Sequence, residues 1–374
     1  MIIIVLDPVF DHFDCFFQNC HFRFGIFVVM VIVVVVMMMV LLTALTGVCL
    51  LGWLFTPQLV ALLAGGCTAP QIKLFPSQAD PLQESTLEGS AAQKLLVIPV
   101  RGVISNSPDE GLIRTRPSMV QEVVSHLRKA AQDKEIRAVV LQINSPGGSV
   151  TGSDIIYHEI LRFKEERRIP LVAAMLDVAA SGGYYIALPA DHIVAHPTTV
   201  TGSVGVIFIR PKVTALMEKI GVGVEISKSG VNKDIGSPFR PTTPEEEEML
   251  TAMTDQLGKR FVDLVARHRK MDPGRLVEIS SARVFLAEQA LNLNLVDSIG
   301  YMSDALSEAK KRAGLPEDAR VVVYRRLDYP NDNIYNPVTS YESSRPAALV
   351  DVGLSRLVPS FQSGFYYLWL PAVQ

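Results

Sequence analysis

The stretch that decides the fold is LVAAMLDVAASGGYY, residues 171–185. Its first six residues are apolar and predict a buried strand, and the small residues after them predict a turn into a helix. Ser181 lies at that turn and is followed by Gly182 and Gly183. Because glycine has no side chain, a peptide backbone can approach the serine hydroxyl, and the amide after the serine can point at it. The turn is therefore typical of a nucleophile, although a turn of small residues that serves packing alone has the same composition.

Strands and helices alternate along the chain before this stretch. Residues 94–100 and 138–143 predict strands, and residues 118–132 predict a helix with apolar side chains at helical spacing. A second helix is expected over residues 153–166, just before the strand that leads to Ser181. Strands that alternate with helices of this length predict an α/β fold with a parallel sheet, which binds ligands at the carboxyl ends of its strands.

Two of these strand ends carry a pair of adjacent glycines. Residues 144–149 read NSPGGS, and the second pair follows Ser181. If the two strands are neighbours, the backbone N–H groups of Gly148 and Gly182 converge beside the serine hydroxyl and form an oxyanion hole. The alternative for the first pair is an ordinary turn and helix start, capped by a serine.

A serine nucleophile needs a general base, and histidine is the usual partner. His192 and His196 lie in a short strand pattern in which only Asp191 is available to orient an imidazole. A neutral lysine can replace histidine when burial favours the uncharged amine. The residues alone do not choose among the lysines that follow the serine, which are Lys212, Lys219, Lys228 and Lys233.

The N-terminal region is far more apolar than the rest. Residues 24–72 contain no charged side chain, and this run exceeds the roughly 20 residues that cross a bilayer. Residues 24–66 are therefore predicted to be a transmembrane anchor or signal segment, with a buried soluble helix as the alternative. Residues 1–23 form an extension outside this prediction, and the polar residues 67–93, with their prolines, predict a linker.

Charge and cysteine content limit the remaining choices. The net charge of -3 gives no reason to expect a nucleic-acid partner. All the cysteines lie at or before Cys67, so neither disulfides, a thiol nucleophile nor a cysteine metal site can support the later residues. Cys67 follows LAGG, which loosely resembles a lipoprotein processing site, and lipidation there is an alternative to an unmodified anchor. Residues 316–374 predict a strand and an aromatic tail that docks on the domain or on a neighbouring chain.

Several motifs occur in a specific order. They are INSPGGSV (143–150), ASGGYY (180–185), TGSVGV (201–206), KSG (228–230) and KDIGSPFR (233–240). Together they resemble the signal peptide peptidase A (SppA) family in its short, single-repeat form. The resemblance implies a peptidase domain over residues 94–315, with a Clp protease and crotonase-like fold of repeated ββα units.

The resemblance also implies roles for individual residues. Ser181 is expected to be the nucleophile, Lys233 the general base, and Ser203 the hydroxyl that helps to hold the lysine. The backbone N–H groups of Gly148 and Gly182 match the oxyanion positions. No metal and no cofactor are implied.

Two nearby residues bear on the assignment of the base. Lys228 lies in the KSG motif and is the alternative to Lys233. Asp234 is expected to point away from Lys233, because a nearby carboxylate stabilises the charged form of a lysine.

The resemblance implies a membrane-anchored serine endopeptidase that cuts cleaved signal peptides or other unfolded chains on the extracytoplasmic side of the membrane. It also implies a homo-oligomer, an octamer by precedent among short members, with active sites shared between subunits. One alternative is a crotonase-like acyl-coenzyme A enzyme, which uses the same pair of backbone amides without the serine or the lysine. The other is a catalytically silent membrane scaffold.

Overall fold

The computed structural model describes residues 33–34, 36–38, 81–107, 109–110, 115–326 and 364–372. The predicted anchor and Cys67 lie outside the described residues, apart from five helical residues between positions 33 and 38. Within the part of the chain that is described, no helix is both long enough and apolar enough to span a membrane. The chain divides into two compact units, Met1–Leu74 and Phe75–Gln374, and the second carries the fold described below.

The strands of the second unit follow one another in the chain as β1 (Gln83–Glu88), β2 (Lys94–Arg101), β3 (Asp109–Glu110), β4 (Thr115–Arg116), β5 (Ile136–Ser145), β6 (Gly147–Ser149), β7 (Leu171–Ala180), β8 (His192–Ala195), β9 (Val200–Gly202), β10 (Ile207–Ile209), β11 (Val284–Leu286), β12 (Ser298–Ile299), β13 (Arg320–Arg325) and β14 (Gly364–Leu368). The helices are α1 (Met119–Gln132), α2 (Val150–Arg167), α3 (Gly182–Ala187), α4 (Thr214–Ile220), α5 (Pro244–Arg269), α6 (Pro273–Ser280), α7 (Ala287–Asn292) and α8 (Met302–Ala313).

The main sheet has the strand order β1-β13-β2-β5-β7-β8-β12. Every neighbouring pair in this order is parallel except β1 with β13, and β11, which joins the same sheet through β9, is also antiparallel to its neighbour. β7 pairs with β8 along its first half and with β9 near its end, and β11 pairs with β9. A second sheet contains β10, β14 and β6 in that order. The predicted α/β fold with a parallel sheet is thus confirmed.

Apolar runs explain why the central strands are parallel and covered on both faces. In β2, the four residues from Leu95 to Ile98 are fully buried. Leu96 and Ile98 face a cluster that includes α1 and α2, whereas Leu95 and Val97 face a cluster that includes α8. Strands buried on both faces carry near-continuous apolar sequence, which is the pattern that the sequence shows.

The expected linker differs from the structure at one place. Gln83–Glu88 lies within residues 67–93, yet it forms β1 and pairs with β13. β1 is an edge strand with a single neighbour, so half of its backbone and most of its side chains can remain polar. A polar composition therefore did not distinguish this strand from a linker.

The boundaries of two elements near the site also differ from expectation. The second helix begins at Val150 rather than near residue 153, because Ser149 caps it by accepting a hydrogen bond from the Gly152 N–H at 3.0 Å. The strand before Ser181 continues to Ala180 instead of ending near residue 176. Ser181 therefore follows its strand directly.

Candidate active site

Ser181 has an unusual backbone conformation. Its φ is 52° and its ψ is −117°, and the residue is 1% exposed. A positive φ at a residue other than glycine costs roughly 1–3 kcal/mol and is concentrated at functional sites. The serine stands at the first residue of a strand-to-helix turn, but its side chain makes no capping hydrogen bond to α3. A strained turn of this kind is typical of a nucleophile that must present its hydroxyl, rather than of a packing turn.

The backbone around Ser181 is held on two sides. Its N–H donates to the Gly202 carbonyl at 2.8 Å, and its own carbonyl accepts from the Tyr185 N–H at 2.9 Å. The first bond ties the turn to β9 and the second ties it to α3. The strained conformation is therefore fixed by the surrounding sheet and helix.

The glycines beside Ser181 allow the two glycine turns to touch. A methyl group placed on Gly182 would lie 2.5 Å from Ser153 Oγ and 3.0 Å from Gly147 Cα. A methyl group placed on Gly183 would collide with the Ser145 carbonyl oxygen. The Gly182 nitrogen lies 2.6 Å from the position that a Cβ atom on Gly147 would occupy. The two strand ends are neighbours, because β5 pairs with β7.

Gly148 has Ile104 as its neighbour on one side and β14 on the other, and its N–H points away from Ile104. The Gly147 carbonyl accepts from the Ile104 N–H at 2.8 Å, and the Ser149 N–H donates to the Ile104 carbonyl at 2.9 Å. Because the direction of backbone groups alternates along a strand, the Gly148 N–H faces the opposite side, toward β14. The same turn therefore caps a helix through Ser149 and directs an amide toward β14 within the second sheet.

Ser203 lies next to Ser181 through the sheet. β9 and β7 pair in parallel with Ala180 opposite Gly202, so the residues that follow them are neighbours. Ser203 has a φ of 51°, is 8% exposed, and donates its N–H to the Arg283 carbonyl at 2.8 Å. The structure thus brings the predicted nucleophile and the predicted supporting serine to one edge of the sheet.

Lys233 does not join this group. The residue is exposed and lies in a run of turns after α4, where its N–H donates to the Gly230 carbonyl at 3.1 Å. Among the described residues, no hydrogen bond or ion pair is recorded for its side-chain nitrogen. Within one chain, the predicted general base therefore makes no hydrogen bond with Ser181 or Ser203.

Asp234 turns its carboxylate toward other cations. Lys228 Nζ and Arg240 Nε each lie 2.7 Å from a carboxylate oxygen of Asp234. The hydrogen bonds from Arg240 and then from Lys228 hold the pKa of Asp234 well below its usual range. Both contacts direct the Asp234 carboxylate to cations other than Lys233. Lys228 contacts a carboxylate, which is the opposite of the environment that a neutral base needs.

The histidines after Ser181 are engaged elsewhere. Their partners are Ser298 Oγ for His192 at 2.9 Å, Thr198 Oγ1 for His196 at 2.8 Å, and Tyr157 Oη for His268 at 2.7 Å. None of these hydrogen bonds orients an imidazole toward the serine. The geometry gives no support to a histidine base.

The C-terminal strand is the part of the site that the sequence did not predict. β14 lies between β6 and β10, antiparallel to both, with Tyr367 opposite Gly148. The aromatic composition of the tail predicted docking but not its location. The Tyr367 carbonyl oxygen is the atom that a side chain on Gly147 would meet first.

Comparison with known proteins gives the family. The family model for Peptidase family S49 matches residues 163–316, and the Clp protease model matches residues 114–201. The Enterococcus faecium protein named "Putative signal peptide peptidase SppA" is 36% identical over 253 residues, which are 68% of this chain and 73% of that protein. The chain belongs to Peptidase family S49. The expected resemblance to the SppA family is confirmed, and the protein is a serine peptidase of that family.

Two further similarities are more limited. The Arabidopsis thaliana protein named "Serine protease SPPA, chloroplastic" is 33% identical over 227 residues, which are 60% of this chain but only 33% of that protein. Among solved structures, a ClpP1 mutant from Listeria monocytogenes is 16% identical with a TM-score of 0.37, covering 56% of this chain and 94% of that one.

Proposed function

We propose that this S49 peptidase is a membrane-anchored endopeptidase that hydrolyses cleaved signal peptides or other unfolded chains, with Ser181 as nucleophile and Lys233 as general base. The observation that carries the proposal is the strained backbone of Ser181 at the contact between two glycine turns. An acyl-coenzyme A enzyme of the crotonase type would need the amides but not a strained serine. A silent scaffold would need neither.

In the proposed reaction, Ser181 Oγ attacks a peptide carbonyl carbon while the neutral amine of Lys233 accepts the hydroxyl proton. The N–H groups of Gly148 and Gly182 stabilise the developing oxyanion. The lysine then passes its proton to the leaving amine as the peptide C–N bond breaks. A water molecule, deprotonated by the same amine, hydrolyses the acyl ester, and Ser203 orients the lysine throughout.

The lysine is proposed to come from a second copy of the chain. The segment that contains Lys233 carries exposed apolar side chains, which are Leu216, Ile220, Val222, Val224, Ile226 and Val231. An exposed apolar patch of this size is typical of an interaction surface. A neighbouring subunit that covers the patch would also receive Lys233 and would exclude water from its amine, which favours the neutral form. An octameric ring, the precedent among short family members, repeats this contact around a closed circle.

The same proposal places the peptidase domain outside the cytoplasm. It rests on the resemblance to the family and on the polar residues 67–93, which follow the uncharged residues 24–66 that are long enough for a membrane anchor. Lipidation at Cys67 is the alternative means of attachment.

The test uses the full-length chain and three single substitutions. Ser181→Ala and Lys233→Ala should each abolish casein hydrolysis, and Lys219→Ala, which removes another exposed lysine from the same segment, should not. Labelling by a fluorophosphonate should be lost in Ser181→Ala. Undiminished hydrolysis by Ser181→Ala or by Lys233→Ala would refute the assigned pair.

Mixing the two inactive variants tests whether the site is shared. If serine and lysine come from different subunits, random mixing of equal amounts before assembly should restore about one active site in four. If both come from one chain, the mixture should remain inactive.

A further inference from the structure

A network of charged side chains surrounds the Lys233 turn, which comprises residues 228–240. The network joins this turn to the residues before α4 and to the start of α5. It contains four cations and three carboxylates, which are Arg210, Lys212, Lys228, Arg240, Asp234, Glu246 and Glu247. Each of these side chains contacts an opposite charge or a backbone carbonyl. Among the charged residues that the structure describes in this turn, only Lys233 has no such contact.

Arg240 is the centre of this network. Its Nε donates to Asp234 Oδ2 at 2.7 Å, and its Nη2 donates to Asp234 Oδ1 at 2.8 Å, so the guanidinium binds both oxygens of one carboxylate. Its Nη1 also donates to Glu246 Oε2 at 2.9 Å. Arg240 thereby connects a carboxylate of the Lys233 turn to a carboxylate of α5.

Glu246 is itself fixed at the start of α5. It is 3% exposed, its carboxylate accepts from the Thr243 N–H at 3.1 Å, and its own N–H donates to Thr243 Oγ1 at 3.3 Å. This reciprocal pair is a capping box, which holds both side chains at the helix start. The hydrogen bonds from Arg240 and then from Thr243 lower the pKa of Glu246 to about 2. Arg240 is therefore attached to a fixed negative charge at neutral pH.

Asp234 is the carboxylate that lies nearest to Lys233 in the sequence, because it is the next residue. A carboxylate within about 4–6 Å of an amine stabilises the charged form, which cannot accept a proton. In the structure both Asp234 oxygens contact Arg240, and Lys228 Nζ lies 2.7 Å from Oδ1. The Asp234 carboxylate is thus paired with two cations, and neither of them is the predicted general base.

The backbone of the Lys233 turn is held by contacts that do not involve the Arg240 side chain. Lys212 Nζ donates to the Ser237 carbonyl at 2.6 Å, and the Val213 N–H donates to the Pro238 carbonyl at 3.0 Å. Loss of the guanidinium therefore releases a carboxylate without detaching the turn from the residues before α4.

We propose that Arg240 is a positioning residue for the general base, because it holds the Asp234 carboxylate toward α5 and away from the Lys233 amine. The role of Lys233 as base rests on the proposed function, whereas the effect of Arg240 on the amine does not. Two conditions then favour the neutral amine. A neighbouring subunit excludes water from it, and Arg240 withholds the adjacent carboxylate.

The experiment measures the charge of the Lys233 amine in full-length chains that also carry Ser181→Ala. Trace acetylation with acetic anhydride over a range of pH, followed by mass spectrometry, reports the uncharged fraction of this amine. In Arg240→Met the midpoint of the labelling curve should rise by about one pH unit, since Asp234 can then pair with the amine. Arg210→Met removes the same charge from a side chain that contacts Glu247 instead, and it should move the midpoint by less than about 0.3 unit.

Removal of the carboxylate separates this role from a structural one. Arg240→Met combined with Asp234→Asn should return the midpoint to its value in the chain with Arg240 and Asp234 intact, because no carboxylate then adjoins the amine. A displaced turn would not be repaired by the second substitution. With Ser181 present, the acid limb of the pH–rate profile of casein hydrolysis should show the same rise and the same reversal.

Thermal unfolding and sedimentation establish that each variant is folded and assembled. If Arg240→Met does not fold, Arg240→Lys replaces it. A single ammonium cannot bind both oxygens of Asp234 and also reach Glu246 as the guanidinium does, so the midpoint should still rise, by a smaller amount.

Two results would overturn the inference. One is a labelling midpoint for Lys233 that is equal in Arg240→Met and in the chain with Arg240 intact. The other is a raised midpoint that Asp234→Asn does not reverse. A midpoint that rises as expected, while casein hydrolysis keeps its pH–rate profile, would contradict Lys233 as the general base and leave the effect of Arg240 on the amine standing.

Discussion

Replacing Gly182 by alanine isolates the oxyanion role of the turn after Ser181. The added methyl group would lie 2.5 Å from Ser153 Oγ, 3.0 Å from Gly147 Cα and 3.1 Å from the Tyr367 carbonyl oxygen. A normal contact for such a methyl group is about 3.5–4 Å. The turn must therefore move away from α2 and from the first glycine turn, and the Gly182 N–H moves with it.

The size of the effect follows from the geometry. Loss of one oxyanion donor lowers kcat by about 10²- to 10³-fold, or about 3–4 kcal/mol. Ser153 contributes the closest of the three contacts, so Ser153→Ala should relieve much of the strain of Gly182→Ala and should restore about tenfold of the lost rate. Ser153→Ala alone removes a 3.0 Å hydrogen bond to the Ser149 carbonyl, which costs about 1 kcal/mol of stability and leaves the donor in place.

The assay is a pair of measurements on three variants, Gly182→Ala, Ser153→Ala and the double substitution. Steady-state hydrolysis of a peptide substrate gives kcat, and thermal unfolding shows that each variant remains folded. A folded Gly182→Ala chain with the kcat of the unsubstituted protein would refute the assignment of this amide. So would a double variant no faster than Gly182→Ala, since the rate loss would then not come from displacement of the turn.

Three further substitutions have distinct expected outcomes. Burial lowers the pKa of His126 from 6.5 to about 3, so below about pH 6.5 the unfolded chain binds a proton that the folded chain does not bind. Because this difference destabilises the folded chain in acid, His126→Phe should remove about 2–3 kcal/mol of the stability that is lost between pH 6.5 and 4.5, as measured by urea unfolding. Burial alone would raise the pKa of Asp297, but hydrogen bonds from Arg269 lower it. Asp297→Asn should therefore cost about 2 kcal/mol of unfolding free energy at neutral pH. This difference should shrink as acid protonates Asp297 below about pH 4. Lys228→Ala should retain hydrolysis, whereas removal of a true general base lowers the rate by about 10²- to 10⁴-fold, as expected for Lys233→Ala; equal losses in the two variants would contradict the choice of base.

The sequence predicts those parts of the fold that depend on local pattern. The apolar runs of β2, β5 and β7 are buried on both faces, and their alternation with helices is enough to predict a parallel sheet. The turn at Ser181 is also predictable, because only small residues permit the contact between the two glycine turns. β1 is not predictable in this way, since an edge strand can be polar. The position of β14 depends on pairing Tyr367 with Gly148, which lie far apart in the sequence, and no local pattern specifies that register.

The general base is even harder to predict from local sequence than the position of β14. A serine turn can be judged from its neighbours in sequence, because a strand, a strained residue and two glycines are all local. A lysine base is defined by what surrounds its amine, and Lys233 stands exposed on a segment whose apolar side chains have no cover within the described chain. The structure therefore contains a strained serine turn, whereas Lys233 is exposed and makes no hydrogen bond with that turn among the described residues. If a second subunit both receives Lys233 and covers the apolar segment, assembly is a requirement for hydrolysis. A chain that cannot assemble should then keep the strained turn at Ser181 yet fail to hydrolyse casein.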